Sequence, residues 1–192
     1  MEQRLPALQP LEPQRGLATH LRGDVGRSRL RVSDRRFDDR AGPPARQRRK
    51  RGARNQAIGR SRGGLTTKIH LAVRGLGCPV RFVLTPGQAG DAPQAATLLD
   101  GQAAEAVIAD TAYDADHIRE TVAGMNAEAV IPSSPSRSRK HTLDKHLYAQ
   151  RHLVECCISK LKQFRRVATR FEKTARNYLA IVTIAAIVLW LR

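Results

Sequence analysis

The sequence predicts an α/β protein built on a mixed sheet with helices packed against it. Two short apolar runs of the same form, "AEAVIAD" and "AEAVIPS", flank a helical stretch of about a dozen residues, which is the pattern of a parallel βαβ unit. An alternating, β-branched run, "GLTTKIHLAV", is followed across the turn signal "RGLGC" by "PVRFVLTPG", and the pair reads as an antiparallel hairpin. Helical patterns then close the chain. Parallel and antiparallel pairs in one sheet, covered by helices, follow from that order of elements.

Taken in order, residues 1–54 are expected to form a disordered basic segment. They are rich in Arg, Pro, Gly and Asp, hold one Phe and neither Tyr nor Trp, and keep no period of 2 or 3.6. The folded part is expected over residues 55–192. After the hairpin, Asp91 stands where an N-cap belongs, ahead of the helical "APQAATLLDG". Asp110 ends the first short strand. In a parallel sheet the carboxyl ends of strands are where ligands and chemistry gather, so this carboxylate faces either a cleft or merely a turn. In the next helix, "YDADHIRETVAGMN", Asp114 and Asp116 read as charges favourable at the positive end of the dipole, and Gly124 and Asn126 suit the stop. "SPSRSRKHT" reads as a polar, basic loop. The final run, "YLAIVTIAAIVLWLR", has about 14 apolar residues where a membrane span needs roughly 20, so it is expected to be a buried core helix.

The formal charge of +17, with Arg dominant among the basic residues, predicts a polyanionic partner, nucleic acid before membrane. Few aromatics argue against a base-stacking platform for single strands. Cys78, Cys156 and Cys157 are odd in number and lack CxxC spacing, which excludes a disulfide framework or a zinc site of that kind and suits a reducing compartment. The opening "MEQRLPALQP" lacks the apolar core of a secretory signal. The histidines show no metal-ligand spacing. Lys68 and His70 share one strand face and are within range of a cleft. Arg165, Arg166, Arg170 and Lys173 form a basic run that either meets phosphates or stays a solvated face.

The stretch "YAQRHLVECCISKLK" stands out. On a continuous helix, Arg151, Glu155 and Lys162 fall roughly 300°, 340° and 320° around from Tyr148, so the four share one stripe. Leu153, Val154, Cys157, Ile158 and Leu161 fall mostly on the other side. A mixed-charge stripe of this kind is either a solvated face with an Arg151–Glu155 pair or part of a functional surface.

Four segments together resemble the catalytic domain of bacterial insertion-sequence DDE transposases, most closely the insertion-sequence five group. They are "NQAIGRSRGGLTTKIH", "RFVLTPGQAGD", "AVIADTAYDAD" and "YAQRHLVECCISKLKQFRRVATRFEKTARNYLA". The last carries the family's signature of Tyr, Arg, Glu and Lys at every spacing. The likeness runs over residues 55–192. It implies an RNase H-like fold, a mixed sheet with helices on both faces. It also implies that Asp110 and Glu155 are the second and third catalytic, metal-binding carboxylates, holding Mg²⁺ (or Mn²⁺) for two-metal phosphoryl transfer at DNA. Tyr148, Arg151, Lys162, Arg165 and Arg166 would then meet DNA phosphates. The implied partners are the transposon ends and target DNA, with a homodimer as the compatible assembly. The implied location is the bacterial cytoplasm, at the nucleoid, with no membrane association.

The chain departs from the family upstream. The first catalytic Asp is expected on the first strand, within a block such as Asp-Ser-Thr-Ile-Val-Arg-Ala-His-Gln ahead of "GRSRGG". In its place stands "RRFDDRAGPP", in which charges abut and two prolines follow, so that no buried strand is expected there, although Asp34, Asp38 and Asp39 are near. Codon degeneracy accounts for this. If "RFDDRAGPPA" is encoded CGA TTC GAC GAT CGT GCG GGC CCA CCA GC, a one-base shift reads out the missing block, with its Asp hidden under Arg36. The expectation is therefore an out-of-frame segment up to about residue 50, a missing first strand, and a catalytic domain that is partial and inactive. The alternative is a non-catalytic DNA-binding remnant, which needs only the basic surface.

Overall fold

In the computed structural model, which describes residues 29–38, 56–61 and 64–191, the sheet is organised around a strand in the segment where none was expected. Strand β1 spans Arg29–Asp38. It pairs antiparallel with β3 (Gly64–Arg74) from Leu30↔Arg74 to Asp38↔Thr66. On its other side it pairs parallel with β5 (Ala106–Ile108), Leu30 standing opposite Val107. Leu30 and Val32 are buried on one face. Arg31 is buried on the other, its guanidinium donating to the Gly75 carbonyl at 2.8 Å and to Gln150 Oε1 at 2.8 Å.

This corrects the expectation that the first strand is missing and that the N-terminal segment is irregular throughout. An Arg can sit inside a sheet when its terminal nitrogens find acceptors, as Arg31 finds Gly75 and Gln150, and two apolar residues among arginines are too weak a signal to show as a period. The expected disorder elsewhere in 1–54 falls on residues 1–28 and 39–54, which lie outside the described residues.

Among the described residues the sheet has six strands, in the order β2 (Gly59–Ser61), β3, β1, β5, β6 (Glu128–Val130), with β4 (Cys78–Pro86) also paired to β3. The predicted hairpin is β3–β4. Its turn uses Gly75 and Gly77 at positive φ, where glycine carries no side-chain penalty. A Cβ on Gly77 would lie 2.9 Å from the Leu153 carbonyl oxygen, so the turn is pressed against the helix that begins there. The predicted βαβ unit is β5–α2–β6, with α2 at Asp116–Gly124. Asn126 ends it with a φ of 56°.

Alternate residues divide the sheet into two covered faces. On one, Leu30, Val32, Ala72 and Val107 pack with Leu98 of α1 (Ala95–Leu99) and with Ile118 and Val122 of α2. On the other, Ile69, Leu71 and Val73 pack with Val154, Ile158 and Leu161 of α4 (His152–Lys162), Val167 of α5 (Arg165–Ala168), and Tyr178 and Val182 of α6 (Ala175–Trp190). On that same side α3 (Lys145–Ala149) lays Leu147 and Tyr148 against Ala106, Ile108 and Val130.

Three local expectations change. The single long helix over 148–162 is two helices, α3 and α4. The chain tightens between them, Arg151 N donating to the Tyr148 carbonyl at 2.9 Å and Leu153 N to the Gln150 carbonyl at 3.1 Å, where Gln150 is drawn towards Arg31. Asp91 occupies an N-cap position but makes no side-chain cap bond; its carboxylate takes the Lys68 ammonium instead, at 2.6 Å. The apolar α6 is buried along one side only, at Tyr178, Val182, Ala185 and Ala186, while Ile184 and Ile187 are more than half exposed. Its sequence is apolar all round, so no periodicity marked the buried side. Among the described residues, no helix is long and apolar enough to cross a membrane.

Arg170, read from sequence as a phosphate contact, is 1% exposed. Its guanidinium donates to Thr67 Oγ1 and to the Ala57 and Glu172 carbonyls, and lies 5.0 Å from the Tyr178 ring centroid. It joins α6, β3 and the segment ahead of β2, and so buried it cannot make the phosphate contact expected of it. Truncation strands several buried acceptors. Arg170→Ala is therefore expected to cost about 2–4 kcal/mol, since hydrogen bonds to charged groups contribute about 1.5–3 each and cation–π contact adds to them. Denaturant unfolding checks this; a loss within about 0.5 kcal/mol, the range of ordinary surface changes, would contradict it.

Candidate active site

Asp110 lies just beyond β5, in extended backbone and in phase with Ala106 and Ile108. That phase belongs to the face covered by α3 and α4. Its Oδ1 accepts the Ala112 amide at 3.0 Å, capping a 3₁₀ turn over Thr111–Tyr113. The turn buries Tyr113, so the cap fixes the position of the carboxylate.

Glu155 lies in the first turn of α4. Arg151 Nη2 donates to Glu155 Oε1 at 2.6 Å, with the two side chains 26% and 39% exposed. At that exposure the pair itself contributes only a few tenths of a kcal/mol. The Arg151 guanidinium lies 6.0 Å from the Tyr148 ring centroid. Tyr148, Arg151 and Glu155 thus form a connected row although the helix beneath them is broken. Lys162 lies at the far end of α4, and Arg165 and Arg166 follow in α5, all three exposed. Arg166 reaches Glu172 at 3.5 Å.

Carboxylate oxygens are the donors a hard divalent cation prefers. Asp110 and Glu155 fit that chemistry as a pair. Among the described residues, however, no group of three or more His, Cys, Asp or Glu could hold a metal ion.

Lys68 and His70 are not part of this face. They are in phase with Ala72, on the α1–α2 side. Lys68 Nζ donates to the Ala89 carbonyl at 2.8 Å and to Asp91. His70 is fully buried with its Nε2 2.7 Å from Thr85 Oγ1. The expectation that they reach the cleft fails because β3 is buried on both sides, so their shared face could as well be the wrong one. Burial pushes the His70 pKa down to about 4, the Asp91 carboxylate opposing and Lys68 reinforcing the shift.

Asp114, read as a helix-start charge, is instead a buried hub. Its side chain is fully shielded. Oδ1 accepts from Arg119, by Nε at 2.9 Å and Nη2 at 2.8 Å; Oδ2 accepts from the Ser134 amide at 2.7 Å and Arg137 Nε at 3.0 Å. Burial alone would raise its pKa, but the Ser134 amide and the two arginines more than offset that and hold it below the usual carboxylate value. These partners lie 5, 20 and 23 residues away, so no local spacing announces them.

The domain is therefore an α/β scaffold with one acidic residue beyond a parallel strand and another on a helix covering the same face. The sequence profile of the family described as "Transposase DDE domain" matches residues 26–191, a range that opens just ahead of β1, and the chain belongs to that family. It is also similar to the "Putative transposase for insertion sequence element IS6501" of Brucella ovis (strain ATCC 25840 / 63/290 / NCTC 10512). The two are 46% identical over 130 residues, which is 67% of this chain and 100% of that relative.

The low His70 pKa gives a signed expectation. Between about pH 6.5 and 4 the unfolded chain binds a proton at this position that the folded chain refuses. This contribution to stability is therefore complete above about 6.5 and declines as the pH falls towards 4. The His70 ring signals in an NMR titration should keep their neutral-form shifts to below about pH 5. A midpoint near the ordinary value of about 6.5 would contradict the burial described.

Proposed function

We propose that this chain is the catalytic domain of a DNA transposase with an RNase H-like fold, in which Asp110 and Glu155 are the carboxylates that hold Mg²⁺ (or Mn²⁺). The observation that carries this is their common face: Asp110 is in phase with the β5 residues that α3 covers, and Glu155 rises from the adjoining α4, in a chain of the DDE transposase family. When bound, the metal supplies activation of the attacking oxygen and stabilisation of the leaving one. The protein's own groups then bind and orient the DNA. A guanidinium has five donors, so the bond from Arg151 to Glu155 leaves others for a phosphate. The Tyr148 hydroxyl can donate to a backbone oxygen, and Lys162, Arg165 and Arg166 continue the track as point charges and forks.

Among the described residues, no third carboxylate completes a metal-holding group with Asp110 and Glu155. Arg31 marks the phase of β1 that belongs to the α3–α4 side. Arg29 is the other described side chain of β1 in that phase, and neither residue is acidic. With two ligands in place of three the cation is weakly held, and the chain is catalytically inactive. An upstream segment read out of the family's frame, with the Asp codon hidden under Arg36, accounts for this. The second reading, a non-catalytic DNA-binding remnant, is what such a chain would be in the cell, and its charge of +17 favours it.

A strand-cleavage assay on DNA carrying the element's own ends, with Mg²⁺ or Mn²⁺, tests this. No cleavage is expected from the chain as it stands, and cleavage is expected once the upstream frame is restored. Metal-dependent cleavage by the unaltered chain that Asp110→Ala abolishes would show that an acidic residue of the upstream segment already completes the site.

A further inference from the structure

Strand β6 ends at Val130 beside the end of β5, Val130 standing opposite Ile108 and its carbonyl accepting the Ala109 amide at 3.3 Å. The loop that leaves β6 therefore starts next to the turn that carries Asp110. This loop, Ile131 to Asp144, is long for a connection in a compact domain, and loops of that length are usually functional or unstructured. This one is built. Arg119 of α2 donates to the Ile131 carbonyl at 2.7 Å at its start. The shielded Asp114 carboxylate takes the Ser134 amide and Arg137 Nε in its middle. Arg137 Nη1 reaches across to Asp116 at 2.6 Å. The Ser133 hydroxyl accepts the His141 amide at 2.8 Å, closing the loop on itself.

Asp114, Ser133, Ser134 and Arg137 are engaged in holding the loop. Arg139 and Lys140 are exposed, and no ion pair with an acidic group is found for either among the described residues. Lys145 and His146 continue the exposed basic stretch at the start of α3. An acidic side chain buried under two arginines is a costly feature, and here its consequence is to fix where two unpaired cations stand.

We propose that the loop over residues 133–141 is a DNA-backbone clamp beside Asp110, and that Asp114 is the positioning residue that holds it in its binding shape. The occupant is duplex DNA, engaged through its phosphates by Arg139 and Lys140. This rests on the DNA reading given above and adds the surface on which the duplex sits.

The test is fluorescence-anisotropy binding of the full chain to a labelled duplex over a range of salt concentrations. Arg139→Glu with Lys140→Glu should weaken binding by about tenfold or more. It should also flatten the log–log salt slope by about two units, since each phosphate that is no longer neutralised takes about 0.9 from it. Asp114→Asn separates positioning from charge. It removes a negative charge, so overall electrostatics alone would tighten binding. The clamp predicts the opposite, binding weakened about fivefold and a flatter salt slope, together with faster amide exchange confined to residues 133–141. If Asp114→Asn does not fold, Ser134→Pro removes the amide donated to Asp114 without any change of charge and should give the same weakening. Binding by Asp114→Asn, or by Ser134→Pro, that equals or exceeds that of the parent overturns the positioning role. A parent that binds with a steep salt slope, left unchanged by the double glutamate variant, overturns the clamp while the DNA reading stands. A parent that does not bind duplex DNA sinks both.

Discussion

The two-sided pairing of β1 is the constraint on which the rest of the domain depends. One edge of this strand holds the β3–β4 hairpin and the other holds the β5–α2–β6 unit. Among the described side chains of β1, Leu30 and Val32 are buried on one face and Arg31 on the other. Leu30 and Val32 each transfer an aliphatic side chain from water, about 1.5–3 kcal/mol apiece. Arg31 adds no such gain. It stays buried because a turn carbonyl and Gln150 take its donors, and in doing so it ties the α3–α4 break to the sheet. A cation accommodated in this way specifies geometry more than it supplies stability.

The site follows from that arrangement. Because β5 lies against β1 in parallel, its carboxyl end opens above the centre of the sheet, and Asp110 is the first polar residue beyond it. Because α4 crosses the hairpin on the side opposite α1 and α2, Glu155 rises from the same face as Asp110 rather than from the other. The buried polar cluster of Lys68, His70, Thr85 and Asp91 is on the far side of the sheet, where it holds the loop after β4 down. Substitutions there act on the fold, whereas the Arg151–Glu155 pair is exposed enough to add little to stability.

The hairpin, the βαβ unit and the amphipathic stretch of α4 were legible in the sequence because each has a period that matches its element. The faces were not always legible. Thr66–Val73 are buried without interruption, so nothing along β3 says which side Lys68 and His70 take. The same blindness applies to α6, apolar on its exposed side as on its buried one. Strand β1 was hidden for another reason: its partners β3 and β5 are distant in sequence, and its alternation of Leu30 and Val32 is short and set among arginines. Arg170 and Asp114 look like surface charges, and only the tertiary fold supplies the partners that bury them. The two carboxylates at the candidate site were found through motif spacing and resemblance, not through any period.

The central claim is that β1, paired to β5 at Arg29–Arg31 and to β3 along Leu30–Asp38, unites the halves of the sheet. Native-state amide hydrogen exchange of the full chain measures this directly. With partners on both sides, the β1 amides around Leu30 and Val32 are expected to exchange as slowly as those of β3 and β5, and only through global unfolding. Fast exchange across Arg29–Asp38, with β3 and β5 still protected, would show that the sheet closes without this strand and would contradict the account.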